Sequence, residues 1–382
     1  MRASPIDVSK VQTASDARDF VRLSSRLQAD EPNYIAPLHQ SVREKLNRKT
    51  NPFFAKGEAA FFIARRNGKP VGRISAQLHR PYLERYSDAT GHFGFLAAEN
   101  DLETVSALFR TAEGWAKDRG LSRLTGPFNL TINEECGLLV EGFDTPSMIM
   151  MPHDPAYLGG LVEACGYTKV RDLYSYRFDH FGTPPKMLMD IDSRMQTIDG
   201  LVLRHIDMRR YGEEANRVFQ VFNEAWEDNW GFVPLDAEDI RHVAAELRPV
   251  IDPRFAWLAE IDGEPVGTLI MIPDVNHAIR DIGPEPSPLG WLKLLYRLKV
   301  KRVPSARVAI AGISRRFKNK RRRLLIFAAM NAAIFRLNCD RFQGTVEVGW
   351  MLEDNTDILS WMRAIDAEKA KTHRIYEKHL AL

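Results

Sequence analysis

The chain carries an internal repeat, and no other feature restricts its fold as much. Phe62-Ile-Ala-Arg-Arg-Asn-Gly-Lys-Pro-Val-Gly72 and Trp257-Leu-Ala-Glu-Ile-Asp-Gly-Glu-Pro-Val-Gly267 align without a gap, 195 residues apart. Each reads as a strand, an Asn-Gly or Asp-Gly pair that accepts positive φ, and a second strand, the strongest short-range signal for a hairpin. Turn chemistry recurs by chance, whereas a shared Pro-Val-Gly with matching flanking alternation favours duplication. Helical periodicity precedes each hairpin, over Ala14–Gln28 and Leu38–Leu46 in the first copy and over Gly212–Trp226 and Ala237–Leu247 in the second. A strand and a helix follow each, Gly91–Phe95 with Glu103–Arg119 and Arg307–Ile313 with Arg322–Leu337, and strands near Arg123–Gly126 and Phe342–Leu352 continue the two copies. The expected fold class is therefore α/β (α+β): two tandem domains, residues 1–180 and 199–382, each a mixed central sheet flanked by helices. A linker over 181–198 is marked by Pro184 and Pro185. A length of 382 residues also suits two cores better than one.

Several function classes are excluded by charge and cysteine usage. The first thirty residues hold no uninterrupted apolar segment, and no stretch reaches the ~18 apolar residues of a membrane span, so a cytoplasmic protein is expected. Cys136, Cys165 and Cys339 lie far apart without paired spacing, which speaks against a disulfide framework or a zinc site; no metal is expected. A net charge of +3 is too small to imply a nucleic-acid partner, yet seven cations fall within positions 315 to 323. Arg315, Arg316, Lys318, Lys320, Arg321, Arg322 and Arg323 must meet phosphate, an anionic surface or water.

The element order, with Asn223-Glu-Ala-Trp226 running into Asn229-Trp-Gly-Phe-Val-Pro234, with Asn129-Leu-Thr-Ile-Asn133-Glu-Glu135-Cys136, with Trp350-Met-Leu-Glu-Asp-Asn355 and with Arg374-Ile-Tyr376-Glu-Lys378, resembles a bacterial family of tandem GNAT-fold N-acyltransferases of the ceramide synthase type. The resemblance covers nearly the whole chain. It implies two GNAT-like domains, acyl-CoA as co-substrate, and N-acylation of a long-chain, sphingoid-type amine to a ceramide-like amide. In that fold the strand before the main helix ends in a glycine-bearing loop whose backbone N–H groups hold the CoA pyrophosphate. Here the matching stretch is Lys318-Asn319-Lys320-Arg321-Arg322-Arg323, with arginine at both glycine positions, which implies an anion site made by side chains. Ile313 and Ser314 before it, and Asn355 further on, complete the expected cofactor-side residues. In the first copy the equivalent loop, Phe95 to Glu103, is acidic and should repel a pyrophosphate, leaving that domain to shape the acceptor pocket.

Amide formation from a thioester needs a base for the amine and donors for the oxyanion. Glu135 is the candidate base, because an acid leading into the apolar run Leu138–Val140 can have a raised pKa; a turn carboxylate is the alternative. Asn129, Asn133, Cys136, Trp226, Trp230 and Trp291 are the candidate substrate-side residues, and Cys136 as a nucleophile is weighed below a buried structural role. The tyrosine that the family places seven positions after the asparagine is replaced by Met362, so Tyr376 or His153 would serve as acid, a strand-edge or turn role being the alternative for each.

Residues 288–303, within an insertion over 285–305, read as an amphipathic helix with Trp291, Leu294, Leu295 and Leu298 on one face and Lys293, Arg297, Lys301 and Arg302 around it. That pattern suits peripheral contact with the inner face of a membrane, or a core-facing surface helix. Two other functions stay open: a GNAT acetyltransferase acting on a small amine or a protein amine, and a non-enzymatic protein whose run at 315–323 binds nucleic acid or an anionic surface.

Overall fold

Both repeated hairpins form, and the shared Pro-Val-Gly has a structural reason in each. In the computed structural model, which describes residues 4–178, 198–301, 303–316, 320–338 and 344–381, strands β2 (Gly57–Arg66) and β3 (Lys69–His79) follow β1 (Ile6–Lys10). Strands β9 (Ala256–Ile261) and β10 (Glu264–Pro273) repeat the pair. The turns are Asn67-Gly68 and Asp262-Gly263, with φ of 51° and 76° in one and 52° and 82° in the other. Such left-handed pairs give the twist that a two-residue hairpin needs. Val71 and Val266 are the extra residues of matching β-bulges, since Pro70 and Gly72 face Arg65 and Ala64 while Pro265 and Gly267 face Glu260 and Ala259. The glycine that follows lets a helix sit on the strand. A Cβ on Gly72 would lie 2.8 Å from Leu108 of helix Leu102–Lys117, and one on Gly267 2.9 Å from Met330 of helix Lys320–Asn338.

The remaining strands are β4 (Thr90–Ala98), β5 (Arg123–Gly126), β6 (Leu138–Glu141), β7 (Thr168–Phe178), β8 (Leu201–His205), β11 (Ser305–Ile313), β12 (Thr345–Leu352) and β13 (Glu368–His379). The helices are α1 (Ala14–Leu27), α2 (His39–Lys45), α3 (Phe53–Lys56), α4 (Arg80–Tyr86), α5 (Leu102–Lys117), α6 (Tyr157–Ala164), α7 (Tyr211–Trp226), α8 (Ala237–Leu247), α9 (Val275–Ile279), α10 (Pro288–Tyr296), α11 (Lys320–Asn338) and α12 (Thr356–Ala364). Capping boxes start two of the expected helices: Thr13 with Asp16 for α1, and Asp236 with Asp239 for α8. The sequence's expected linker falls mostly on residues 179–197, and Cys339 on 339–343, both outside the described residues.

The chain divides into two compact units. The first takes in Met1–Tyr174, Ile279–Trp291 and Lys371–Leu382; the second takes in Ser175–Ala278 and Leu292–Ala370. In the first, strands run in the order β1-β2-β3-β4-β5-β13-β7, with β6 also on β13, around a core of Ile74, Phe93, Leu108, Phe109, Leu124 and Tyr167. The C-terminal strand pairs antiparallel with β5 from Tyr376↔Gly126 to His379↔Arg123. Ile279–Trp291 is tied to α1 and α2 inside this unit: Glu285 accepts from Arg22 at 2.7 Å and Arg43 at 3.0 Å, and lies 3.1 Å from His39. In the second unit the order is β12-β11-β10-β9-β8, around Trp257, Leu269, Met271, Ile326, Met330 and Trp361.

In each copy a parallel pair stops early. β4 pairs with β5 only over Thr90–His92, and β11 pairs with β12 only over Ser305–Val308. Both β4 and β11 carry an extra residue just beyond the paired stretch, where Gly94 and Ala97 face Ser75 and Arg73, and where Val308 and Ile310 face Met271 and Ile270. Parallel strands that part at a bulge leave a wedge between them, in each unit by itself.

In the first unit the wedge is closed. Phe128 donates its N–H to Phe93 at 2.7 Å, and the Phe95 N–H donates to the Asn129 side chain at 2.8 Å. Gly94 is pressed so tightly on Phe128 that a Cβ would fall 1.7 Å from the Phe128 carbonyl oxygen. Gly94→Ala is accordingly expected to lower stability by about 1–3 kcal/mol or more, because backbone must move; a denaturant titration measures it, and an unchanged midpoint would show that the loop yields freely.

Candidate active site

In the second unit the family motif on α7 forms the socket for the end of β11. Asn223 clamps the chain at Leu235, donating to its carbonyl at 2.8 Å and accepting its N–H at 3.0 Å. Glu224 receives the Ser314 hydroxyl and the Arg316 guanidinium, the latter at 2.6 Å. Ala225 faces Gly312, whose Cβ, were there one, would lie 2.7 Å from it. Trp226 donates Nε1 to the Ala311 carbonyl at 3.4 Å and stacks edge to face on Trp350, ring centres 5.2 Å apart. Trp230 is half-buried in the turn after α7. Beside the bulge of β11 there are thus indole walls, where the first unit has an asparagine amide. Under them, buried Arg307 donates to the Gly349 carbonyl at 2.7 Å.

The cations after β11 fall into two sets. Arg315 pairs with Asp228 and donates to the Ala225 carbonyl, and Arg316 pairs with Glu224, so both serve to hold the strand end on α7. The second set heads a helix: α11 starts at Lys320, with Arg321, Arg322 and Arg323 in its first turn and no acid there. Cations at a helix N-terminus oppose the macrodipole by about 0.3–1 kcal/mol each. Lys318 and Asn319 lie outside the described residues, as does the Lys320 side chain. Ile313 ends β11, opposite Gly267. Asn355 is the N-cap of α12, accepting from Ile358 N–H at 3.4 Å.

The first unit holds a polar cluster. The loop after β5 folds back on itself, Asn129 donating its N–H to the Glu135 carbonyl and Gly137 to the Pro127 carbonyl, both at 2.9 Å. Asn129 then donates its amide to the Glu135 carboxylate at 2.8 Å, and Lys45 stands 3.8 Å from the other oxygen and 3.2 Å from Glu134. Asn133 is half-buried and Cys136 buried in the same loop. Gln77 supports the loop from β3, donating to the Phe128 carbonyl at 2.6 Å.

Facing these groups are Arg73, Tyr34 and Asp154. Burial pushes the Arg73 guanidinium down to about 10 against the opposing pull of Tyr34, Glu135 and Asp154. Burial also pushes the Asp154 carboxyl up to about 7, helped by Glu135 and resisted by the Leu139 N–H, which donates to it at 3.0 Å, and by Arg73. His153 is 7% exposed, and neither ring nitrogen has a hydrogen-bond partner. Burial, with Lys371 nearby, lowers its pKa to about 4, so the ring is neutral at pH 7. The segment is held by β13, where Lys371 donates to the carbonyls of Gly142 and of Thr145 (2.6 Å to the latter) and His373 contacts the Pro152 carbonyl at 3.0 Å.

A carboxyl whose folded pKa lies above its unfolded value binds protons in the folded state that the unfolded chain releases. Asp154 therefore contributes stability below about pH 4 that is lost as pH rises to about 7. His153 acts in the opposite sense between about pH 4 and its unfolded value, so the whole-protein profile mixes the two. The difference isolates Asp154: Asp154→Asn should gain stability relative to the parent on going from pH 5 to pH 8, by melting temperature. A constant difference across that range would place the carboxyl in water.

The structure brings Asn129, Asn133, Glu135, Cys136 and His153 into one region of the first unit, and Trp226, Ser314 and Trp350 into one region of the second. Tyr376 is fully buried in the core of the first unit, its hydroxyl donating to Glu163 at 3.3 Å and its pKa raised to about 12 by burial and by Glu163. Trp291 lies 40% exposed on α10. Arg73 and Asp154 were missed, although β3 signalled its polar face: Arg73, Ser75, Gln77 and His79 alternate along a strand and all four are buried. A period-two polar row on a central strand marks a lined interior rather than a solvated face.

Among the described residues no helix is long and apolar enough to cross a membrane, and no group of three or more His, Cys, Asp or Glu could hold a metal ion. Two α/β copies, each with a bulged strand parting from a parallel neighbour, have the fold of tandem GNAT proteins, and a 42% identical relative makes the chain an acyltransferase, an enzyme that moves an acyl group onto an amine. The chain belongs to the family of the bacterial ceramide synthase of Caulobacter vibrioides (strain NA1000 / CB15N), with which it is 42% identical over 98% of each chain. Protein YghO of Escherichia coli (strain K12) is 36% identical over 96% of this chain and 93% of its own length. Among solved structures, a tandem GNAT protein from the clavulanic acid biosynthesis pathway covers 99% of both chains at a TM-score of 0.54 and 14% identity. A GCN5-related N-acetyltransferase from Sphaerobacter thermophilus gives 0.52 at 13% identity over 99% of this chain and 96% of that one. No protein-family model matches the chain.

Proposed function

We propose that this enzyme transfers an acyl group from acyl-CoA to the amino group of a long-chain, sphingoid-type amine, forming a ceramide-like amide. The observation that carries the substrate class is the full-length identity to a relative named bacterial ceramide synthase. The residues fit the co-substrate in the second unit. Arg321, Arg322 and Arg323 stand in the first turn of α11, which itself holds no acid, and Trp226 and Trp350 wall the place where β11 leaves β12. Bidentate arginines suit the diphosphate better than lysines would. The first unit suits it poorly: Asn129 fills its wedge, and Glu99 and Asp101 pair with Arg66 where the phosphates would have to sit.

Acyl-CoA supplies an activated carbonyl and a thiolate leaving group. Within the first unit by itself, Glu135, oriented by the Asn129 amide at 2.8 Å, is the carboxylate suited to take the proton of an amine. Asp154, with its proton held up to about 7, provides a second site for that proton near neutrality. His153 stays neutral and offers both ring nitrogens to a polar head group that enters the cluster. The amine is drawn from the inner face of a bilayer.

The test is a competition. The purified enzyme receives acyl-CoA of graded chain length together with a sphingoid base, a short amine and a peptide amine, and the amides are measured by mass spectrometry. A higher kcat/KM for the long-chain pair is expected. Preference for acetyl-CoA with the short amine or the peptide would replace this reading with that of a small-amine or protein acetyltransferase.

A further inference from the structure

Helix α10 and the turn of π-helix after it, Arg297–Lys301, expose an apolar row that a water-facing surface does not explain. Leu289 is 76% exposed, Val300 64% and Leu292 62%, and Trp291, Leu295 and Tyr296 are exposed as well. Elsewhere among the described residues only Leu102, Val202 and Leu324 are large and exposed, so the row is a patch rather than scatter. At about 100° per residue, Trp291, Leu295, Leu292, Tyr296 and Leu289 occupy one continuous arc. Leu294, on the opposite side, is 5% exposed and holds the helix to the protein. The sequence pattern groups Leu294 and Leu298 with Trp291 and Leu295 on one face; the structure separates them, turning Leu294 inward and half-burying Leu298 while Leu289, Leu292 and Tyr296 join Trp291 and Leu295 outside. The reason is that a nearly all-apolar helix has no polar side to fix its rotation, so packing chooses it.

Charge identifies the occupant. Residues 288–301 contain Lys293, Arg297, Lys299 and Lys301 and no acid, and the three lysines are exposed. Arg297 is spent on the Ala278 carbonyl at 2.7 Å, which anchors the turn. A second copy of the chain docking through this face would oppose lysine to lysine. A surface of negative charge over an apolar interior matches both features, with the indole and phenol at the depth where such rings settle.

We propose that α10 and residues 297–301 dock the enzyme onto an anionic lipid bilayer, Leu289, Leu292, Leu295 and Val300 entering the acyl region and Lys299 and Lys301 resting on the headgroups. It deepens the reading of a lipid amine as acceptor, since a bilayer-dissolved amine is reached only by an enzyme at that surface, but it stands on the helix and is tested without substrate. The full chain is floated with vesicles of phosphatidylcholine alone or mixed with phosphatidylglycerol. Binding to the mixed vesicles that weakens with salt is expected, with little binding to phosphatidylcholine. Leu292→Glu with Leu295→Glu should cut binding about 10-fold or more, and Lys299→Glu with Lys301→Glu should remove the preference for phosphatidylglycerol. All of these positions are exposed, so melting temperature and activity on a detergent-dispersed amine should match the parent in both variants. Failure of the parent to float, equal flotation of the Leu292→Glu/Leu295→Glu variant, or a parent dimer that this variant dissolves would each overturn the proposal. Activity on dispersed amine in those same samples shows separately whether the acyltransferase reading holds.

Discussion

Glu135→Gln should lower kcat by about 10²–10⁴-fold while acyl-CoA still binds with its parental affinity, the range expected for removal of a general base. Glutamine keeps the shape and an oxygen for the Asn129 amide, now 2.8 Å from the carboxylate, and Glu134 keeps Lys45 occupied at 3.2 Å. The loop should therefore hold and only proton acceptance disappear. Steady-state kinetics, calorimetric acyl-CoA binding and a melting curve together make the measurement. A kcat within threefold of the parent would remove Glu135 from the role and leave Asp154 as the carboxyl to examine.

Removing the cations at the head of α11 should act on the other substrate. Each charge-assisted hydrogen bond to phosphate is worth about 1.5–3 kcal/mol, so Arg321→Ala/Arg322→Ala/Arg323→Ala should raise KM for acyl-CoA about 100-fold, with KM for the amine unchanged. The salt dependence of that KM should flatten at the same time. A melting curve of the same variant separates a loss of folded protein from a loss of acyl-CoA binding. If acyl-CoA saturates the variant as it does the parent, its phosphates are held elsewhere and the seat proposed for the second unit is wrong.

Much of the architecture was legible because its determinants are local. Asn67-Gly68 and Asp262-Gly263 encode their own turns, and α1, α8 and β5 begin or end where caps and periodicity place them. The site was half legible. Glu135 stands in a built polar network with Asn129, and the α7 motif from Asn223 to Trp226 proves to be four consecutive contacts to the end of β11 and the chain around it. Arg73, Asp154 and Lys371 were not seen, because a charged residue in a strand reads as surface until the neighbours that bury it are known.

By itself the sequence determined the duplication, the kind of fold and the class of chemistry, since turn residues, capping boxes and motif strings act over a few positions or are compared string to string. Only the tertiary structure decided that Lys371–Leu382 completes the first unit, that Asn129 fills one wedge while indoles line the other, and which face of α10 meets water. Those outcomes rest on pairings such as Tyr376 with Gly126, across some 250 residues of chain. The free energy of such a contact depends on what the rest of the fold has already buried, and no local pattern records it.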